Sequence, residues 1–485
     1  MTGMEQSYQK ELLFLSYSAS TLLSLPDHQK RMSAHHDLPS AFTQRMQMQL
    51  RDDWQKFLEA HRHPSPTSIR INPLKNKSKD FEKIPWTDFG YYLEQRPSFT
   101  FDPLFHAGAY YVQEASSMFL EQVLKQTVDL SQPLCVLDLC AAPGGKSTHL
   151  LSLLNEQSLL VANETIRSRA TVLAENIQKW GNINVVVTNN DPQDFQKLEG
   201  FFDVIVVDAP CSGEGLFRKD SNSINEWSEG NVGLCALRQQ RILNHVWSAL
   251  KQNGILIYCT CTYTEKENEE NLNWLVGEKK AESIKLKTKS DWGIEEARSK
   301  DIFGYRFFPH KVKGEGFFIS VIQKKEGQKE ISIHRKKSFD HPSTKIAERL
   351  SEWLINPEEI ELIKHEELIL AVPKNYIFEI EFLSKFLKVI QKGTAIAIAK
   401  HEKLIPEHAF ALSPKIKTEK FPSLELTFDQ AIAYLRKDTL NIPSETKGFA
   451  LMKYEDTPLG WANLLGNRMN NLYPSSWRIR SEQKL

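Results

Sequence analysis

The stretch Leu134-Cys135-Val136-Leu137-Asp138-Leu139-Cys140-Ala141-Ala142-Pro143-Gly144-Gly145-Lys146-Ser147-Thr148 sets the frame for the rest of the chain. Residues 134–138 form a short apolar run of the kind that makes a strand buried on both faces. The small residues after it let backbone pass close to a ligand, and the free N–H groups of the helix that follows favour an anionic or carboxylate group. The ending Gly145-Lys146-Ser147 invites a phosphate-loop reading, but that pattern needs glycine at position 140, where this chain has Cys140.

Working downstream, apolar runs recur at 159–163, 185–188, 204–208 and 255–259, with helical patterns at 166–180 and 233–250 between them. This alternation predicts an α/β fold built on a doubly wound, mostly parallel sheet with helices on both faces. Asn253-Gly254 reads as a helix end. Two more strand candidates, 305–309 and 316–323, precede a polar linker over 325–345. The tail, 346–485, mixes short helices with β-runs such as 368–373. Upstream, a helical pattern covers 38–60, and 1–37 carries no readable signal. The chain therefore divides into an extension (1–37), an N-terminal subdomain (38–118), the sheet domain (119–324), the linker and a C-terminal region.

Three strands in succession end in an acid: Glu164, Asp191 and Asp208. Glu164 lies 19 residues beyond Gly145, where dinucleotide-type folds set an acid on ribose hydroxyls. The pattern fits an adenosine-containing cofactor, and NAD and S-adenosylmethionine both satisfy it.

The cysteines separate these two. Cys211, in Asp208-Ala209-Pro210-Cys211-Ser212-Gly213, and Cys261, in Thr260-Cys261-Thr262, follow the fourth and fifth apolar runs, where α/β folds open their ligand crevice. Hydride transfer needs no thiol pair there. Cytosine C5, by contrast, is too electron-poor to attack a methyl donor until a thiolate adds at C6 and turns C5 into an enamine carbon. The other four, Cys135, Cys140, Cys235 and Cys259, read as small buried hydrophobes.

Of 485 residues 41% are hydrophobic and 25% charged, an ordinary globular composition. Lys plus Arg and Asp plus Glu each total 61, so any nucleic-acid footprint must be local. Two acid-free basic stretches qualify: His61 to Lys79, with Arg62, Arg70, Lys75, Lys77 and Lys79, and Trp461 to Arg480, with Arg468, Arg478 and Arg480. Six cysteines without metal-site spacing read as reduced thiols. The apolar segment 11–16 lacks a basic flank and no run reaches 18 apolar residues, so a cytoplasmic protein without membrane or metal is expected.

The motifs Cys140-Ala141-Ala142-Pro143-Gly144-Gly145-Lys146, Asp208-Ala209-Pro210-Cys211-Ser212-Gly213 and Thr260-Cys261-Thr262 followed by Glu267-Asn268-Glu269 resemble, in order, those of the NOL1/NOP2/Sun family of S-adenosylmethionine-dependent RNA cytosine-C5 methyltransferases. Ser68-Ile69-Arg70-Ile71-Asn72, Tyr111 to Met118, Gly213-Glu214-Gly215 and Arg218-Lys219-Asp220 are similar to its bacterial small-subunit branch, and Pro458-Leu459-Gly460 with Asn467 to Pro474 to a PUA-like RNA-binding end. Cys259, where serine is common, and Tyr263, where leucine is usual, depart from the pattern.

The resemblance implies a Rossmann-like methyltransferase domain between an N-terminal RNA-binding subdomain and a C-terminal PUA-like α+β region. S-adenosylmethionine would be bound by Cys140, Ala141, Ala142, Pro143, Gly144, Gly145 and Lys146 with Glu164, Asp191 and Asp208. Cys261 would be the nucleophile and Cys211 would assist release. Asp208 would hold cytosine N3, steadied by Lys146. The substrate would be one cytosine of small-subunit (16S-type) rRNA, free or within the small ribosomal subunit, and the enzyme a monomer. Two rivals make different predictions: a DNA cytosine methyltransferase would attack through Cys211, and a noncatalytic assembly factor would bind without methyl transfer.

Overall fold

The computed structural model describes residues 38–75, 80–327, 331, 333, 339–401, 403–440, 446–466 and 468–481. The extension 1–37, most of 328–338, and Lys77 and Lys79 of the first basic stretch lie outside them. The chain separates into two units, one ending at Arg51 and one beginning at Asp52. In the first, helix Ser40–Leu50 buries Phe42, Met46 and Leu50, spaced by four residues along one face. The helical pattern of 38–60 is thus two helices, because Arg51 takes a positive φ of 48° and the second starts at Trp54.

The second unit opens with helix Trp54–Arg62 and an antiparallel sheet of β1 (Thr67–Ile71), β2 (Glu82–Lys83), β3 (Gly90–Leu93) and β4 (Tyr110–Val112), ordered β2-β3-β1-β4. The central sheet follows. Its parallel strands are β5 (Cys135–Asp138), β6 (Leu159–Asn163), β7 (Val185–Thr188), β8 (Phe202–Asp208) and β9 (Leu250–Thr260). Antiparallel strands β10 (Ala281–Ser283), β11 (Glu295–Ser299), β12 (Ile302–Phe307) and β13 (Phe317–Lys324) extend it on the β9 side. The order runs β11-β12-β13-β9-β8-β5-β6-β7, with β10 beside β13.

Alternate residues of each strand face opposite cores, as the period of two requires. Val136 packs with Leu150, Leu173, Ile177 and Trp180 of helices Gly145–Leu153 and Arg167–Trp180. Leu137 packs on the other face with Ile242, Leu243, Leu272 and Leu275 of helices Glu229–Val246 and Glu269–Lys279.

Two expectations are corrected. The helix expected to reach 250 and stop at Asn253-Gly254 ends at Val246, and β9 already begins at Leu250. Asn253 carries the positive φ, 64°, inside the strand. Gly254 is needed for space instead, since a Cβ there would meet Leu250 Cδ1 at 2.8 Å and the Asp203 carbonyl at 3.0 Å. Second, the sheet does not stop at β7: strand Val389–Lys392, from the tail, pairs antiparallel with it and forms the far edge. The remaining tail builds a four-stranded sheet within 360–406 and another within 423–471.

Candidate active site

β5 delivers Asp138 to the carboxyl edge of the sheet, and the chain turns through 139–144 into helix Gly145–Leu153. Gly144, the residue before the helix, has φ 116°, open to glycine and strained for other residues. Asp138 is fully buried. Its Oδ2 accepts from Ser147 Oγ at 2.6 Å, while Oδ1 has no hydrogen-bond partner among the described residues. Burial pushes its carboxyl from 3.8 up to about 7, against the Ser147 hydrogen bond.

Lys146 Nζ lies 2.7 Å from Asp208 Oδ2 at the end of β8. Burial alone would lower the lysine, but the Asp208 carboxylate outweighs it and holds the ammonium above its ordinary value. Glu164 is buried after β6. It accepts from the Ile166 N–H at 2.9 Å and lies 3.2 Å from Arg169, whose other Nη donates to the Ala142 carbonyl at 2.8 Å. Asp191, beyond β7, accepts from the Gln193 N–H at 3.0 Å and sits 3.4 Å from Arg241. Asp138 and Arg169 escaped the sequence reading. Asp138 looked like the last residue of a buried run, and Arg169 like a charge on a helix face.

β8 and β9 run parallel, with Asp208 beside Cys259 in register. Loops leaving these two strands bring Cys211 Sγ and Cys261 Sγ to 3.1 Å. Cys211 Sγ also accepts from the Cys261 N–H at 3.3 Å, and either sulfur can donate in the contact between them. The hydrogen bond to Cys261 and burial hold the Cys211 thiol well above its ordinary value.

The Glu267-Asn268-Glu269 segment braces both loops. Glu267 accepts from the Ser212 N–H at 3.0 Å, from Ser212 Oγ and from Gln239 Nε2 at 2.8 Å. Asn268 Oδ1 accepts from Thr260 Oγ1 at 2.6 Å, and its Nδ2 donates to the Thr262 carbonyl at 3.0 Å. Glu269 pairs with Arg306, which also donates to the Tyr263 carbonyl; both partners are buried.

The first basic stretch behaves differently from the expected phosphate patch. Arg70 is completely buried, donating to Gln113 Oε1 at 2.8 Å, Ser152 Oγ at 2.8 Å and Thr148 Oγ1 at 2.6 Å, with its guanidinium 4.5 Å over the Trp180 ring. It anchors helix Gly145–Leu153 from below. Lys75 Nζ donates to the Ala107 carbonyl at 2.9 Å and to that of Lys179. Both are withdrawn as phosphate contacts, because their donors are consumed inside the protein. Arg62 stays half exposed on Glu59, and Arg468, Arg478 and Arg480 face solvent.

The carboxyl edge of a parallel sheet with a close-passing loop, carboxylates following three of its strands and the buried Asp138 fits a cofactor that presents ribose hydroxyls, an adenine amine and a cationic amino acid end. With two thiols in contact on the loops after β8 and β9, the class defined is the S-adenosylmethionine-dependent methyltransferases.

Residues 125–323 match the family described as 16S rRNA methyltransferase RsmB/F, residues 38–115 the N-terminal domain of 16S rRNA methyltransferase RsmF, and residues 421–479 the methyltransferase RsmF PUA domain. Ribosomal RNA small subunit methyltransferase F of Shewanella sp. (strain ANA-3) is 30% identical over 449 residues, 86% of this chain and 92% of that protein. Its counterpart from Aliivibrio fischeri is 30% identical over 467 residues, 90% and 97% of the two chains. The crystal structure of a methyltransferase homologue from Pyrococcus horikoshii aligns with TM-score 0.51 and 27% identity, covering 61% of this chain and 96% of that one. The chain belongs to the RsmB/F family of 16S rRNA methyltransferases.

Proposed function

We propose that this enzyme methylates C5 of one cytosine in small-subunit rRNA through a covalent bond between Cys261 and C6. The observation that carries the reading is the 3.1 Å contact of Cys211 with Cys261 beside the Lys146–Asp208 pair. S-adenosylmethionine, when bound, supplies an electrophilic methyl group. Cys140 to Lys146, Glu164, Asp191 and Asp208 hold it, and Asp138 offers a further acceptor.

The Cys261 thiolate adds to C6, and the electron pair so released makes C5 nucleophilic. Asp208, steadied by Lys146, accepts from N3 while N3 carries the proton it takes up from water on thiolate addition and gives back on methyl transfer. The C5 proton then passes to a water molecule as the C6–Sγ bond breaks with its electron pair on Cys261, which restores the pyrimidine, and the Cys211 S–H stabilises the leaving thiolate. The target base must swing out of any helix to reach the thiol. In this reading 38–118 and 346–485 flank the 119–324 catalytic domain as RNA-binding parts, and the enzyme works as a monomer in the cytoplasm on rRNA or the small subunit. No helix among the described residues is long and apolar enough to cross a membrane.

Bisulfite sequencing of small-subunit rRNA from a strain lacking the gene tests the substrate. One cytosine that is protected in the parent and converted in the deletion is expected. An identical conversion pattern in both strains would contradict the assignment.

A further inference from the structure

Each thiol is bracketed by its own clamp. On the Cys211 side, Glu267 takes both donors of Ser212, and Gln239 ties Glu267 at 2.8 Å to the Pro210 carbonyl at 3.0 Å. The residues before and after Cys211 are thereby fixed from one buried carboxylate. On the Cys261 side, Asn268 takes the Thr260 hydroxyl at 2.6 Å and donates to the Thr262 carbonyl at 3.0 Å, fixing the residues before and after Cys261. The clamps meet where Ser212 Oγ and Thr262 Oγ1 lie 3.0 Å apart. Both clamp residues are fully buried.

We infer that Glu267 and Asn268 are positioning residues with separable duties: Glu267 aligns Cys211 for release of the methylated base, and Asn268 aligns Cys261 for attack. The inference rests on the thiol roles proposed above. Adjacent in sequence, the two side chains diverge because Glu267 reaches toward the loop after β8 and Asn268 back toward the end of β9. Losing one clamp should therefore disturb one half of the reaction. A generic packing role would instead damage both halves alike.

The test uses the full-length enzyme with small-subunit rRNA, and particles, from a deletion strain. Adduct is read on a denaturing gel, methyl transfer by isotope incorporation and cofactor affinity by calorimetry. Glu267→Ala should transfer about one methyl equivalent and accumulate at least tenfold more adduct than wild type. Asn268→Ala should form adduct at least tenfold more slowly and accumulate none. S-adenosylmethionine affinity should stay within threefold in both. Glu267→Gln, which keeps an acceptor for the Ser212 N–H, should regain part of the turnover, and Asn268→Asp, which keeps the Thr260 acceptor, part of the attack rate. Those conservative variants carry the comparison if an alanine variant fails to fold. Equal adduct behaviour in the two clamp variants, or loss of cofactor affinity in step with activity, would overturn the inference. Cys211→Ala and Cys261→Ala run alongside: if they fail to differ, the thiol roles themselves fall, whereas if they differ and the clamp variants do not, only this inference falls.

Discussion

Asp138 has one carboxyl oxygen satisfied by Ser147 and one without a partner among the described residues. Its folded-state pKa, raised from 3.8 to about 7, means that the folded protein holds the proton across a range in which the unfolded chain has lost it. This group therefore favours folding most below about pH 4, and that contribution declines as pH rises toward 7. Asp138→Asn should remove a decline on the order of 3–4 kcal/mol. Urea unfolding of cofactor-free protein between pH 4 and 8 checks it, and parallel curves for wild type and variant would contradict it. Glu164 and Asp191 follow β6 and β7 at the carboxyl edge of the sheet. Glu164→Ala and Asp191→Ala should each weaken S-adenosylmethionine binding by about 1–3 kcal/mol, the effect of leaving a buried donor unpaired; unchanged calorimetric affinity in both would remove them from the cofactor site. The thiols and strand-end acids were legible because each closes an apolar run. Arg70 was not, because a linear count of charges does not tell which side chains turn inward, and all five residues of β1 are buried.

At the scale of elements, β1 and helix Gly145–Leu153 are joined by Arg70, which makes the N-terminal sheet a support for the cofactor loop. Arg70→Ala should destabilise the protein by about 2–3 kcal/mol through its abandoned partners, while leaving the salt dependence of RNA binding unchanged. Charge removal at the solvent-facing Arg468 and Arg478 should do the reverse, flattening the salt dependence with little change in the unfolding midpoint. Titrations of rRNA binding between 50 and 200 mM salt, roughly the range where counterion release is steep, separate the two; equal slopes for wild type and the Arg468/Arg478 variant would rule out the C-terminal surface as a phosphate contact. The alternation that predicted the parallel strands worked because β5 to β8 are buried on both faces. It misjudged the stop before β9, where Asn253 takes the positive φ and Gly254 the tight packing within one continuous strand.

For the whole molecule, the division into successive domains was only partly readable, since nothing in the tail marks 389–392 as an edge of the central sheet. That pairing has a consequence. The Lys388 carbonyl accepts from the Asn189 N–H at 3.0 Å and the Lys388 N–H donates to Asn190 Oδ1 at 3.0 Å, so the tail supports the turn that presents Asp191. A chain truncated after the linker should expose the β7 edge, aggregate and bind S-adenosylmethionine poorly; a monomeric truncation with full affinity would contradict this. The account as a whole stands on one covalent step, and a denaturing gel of enzyme mixed with its rRNA and S-adenosylmethionine tests it most directly. Cys211→Ala is predicted to methylate once and stall as a protein–RNA band, while Cys261→Ala gives neither product nor band. A band for Cys261→Ala with none for Cys211→Ala would contradict the account and make Cys211 the nucleophile.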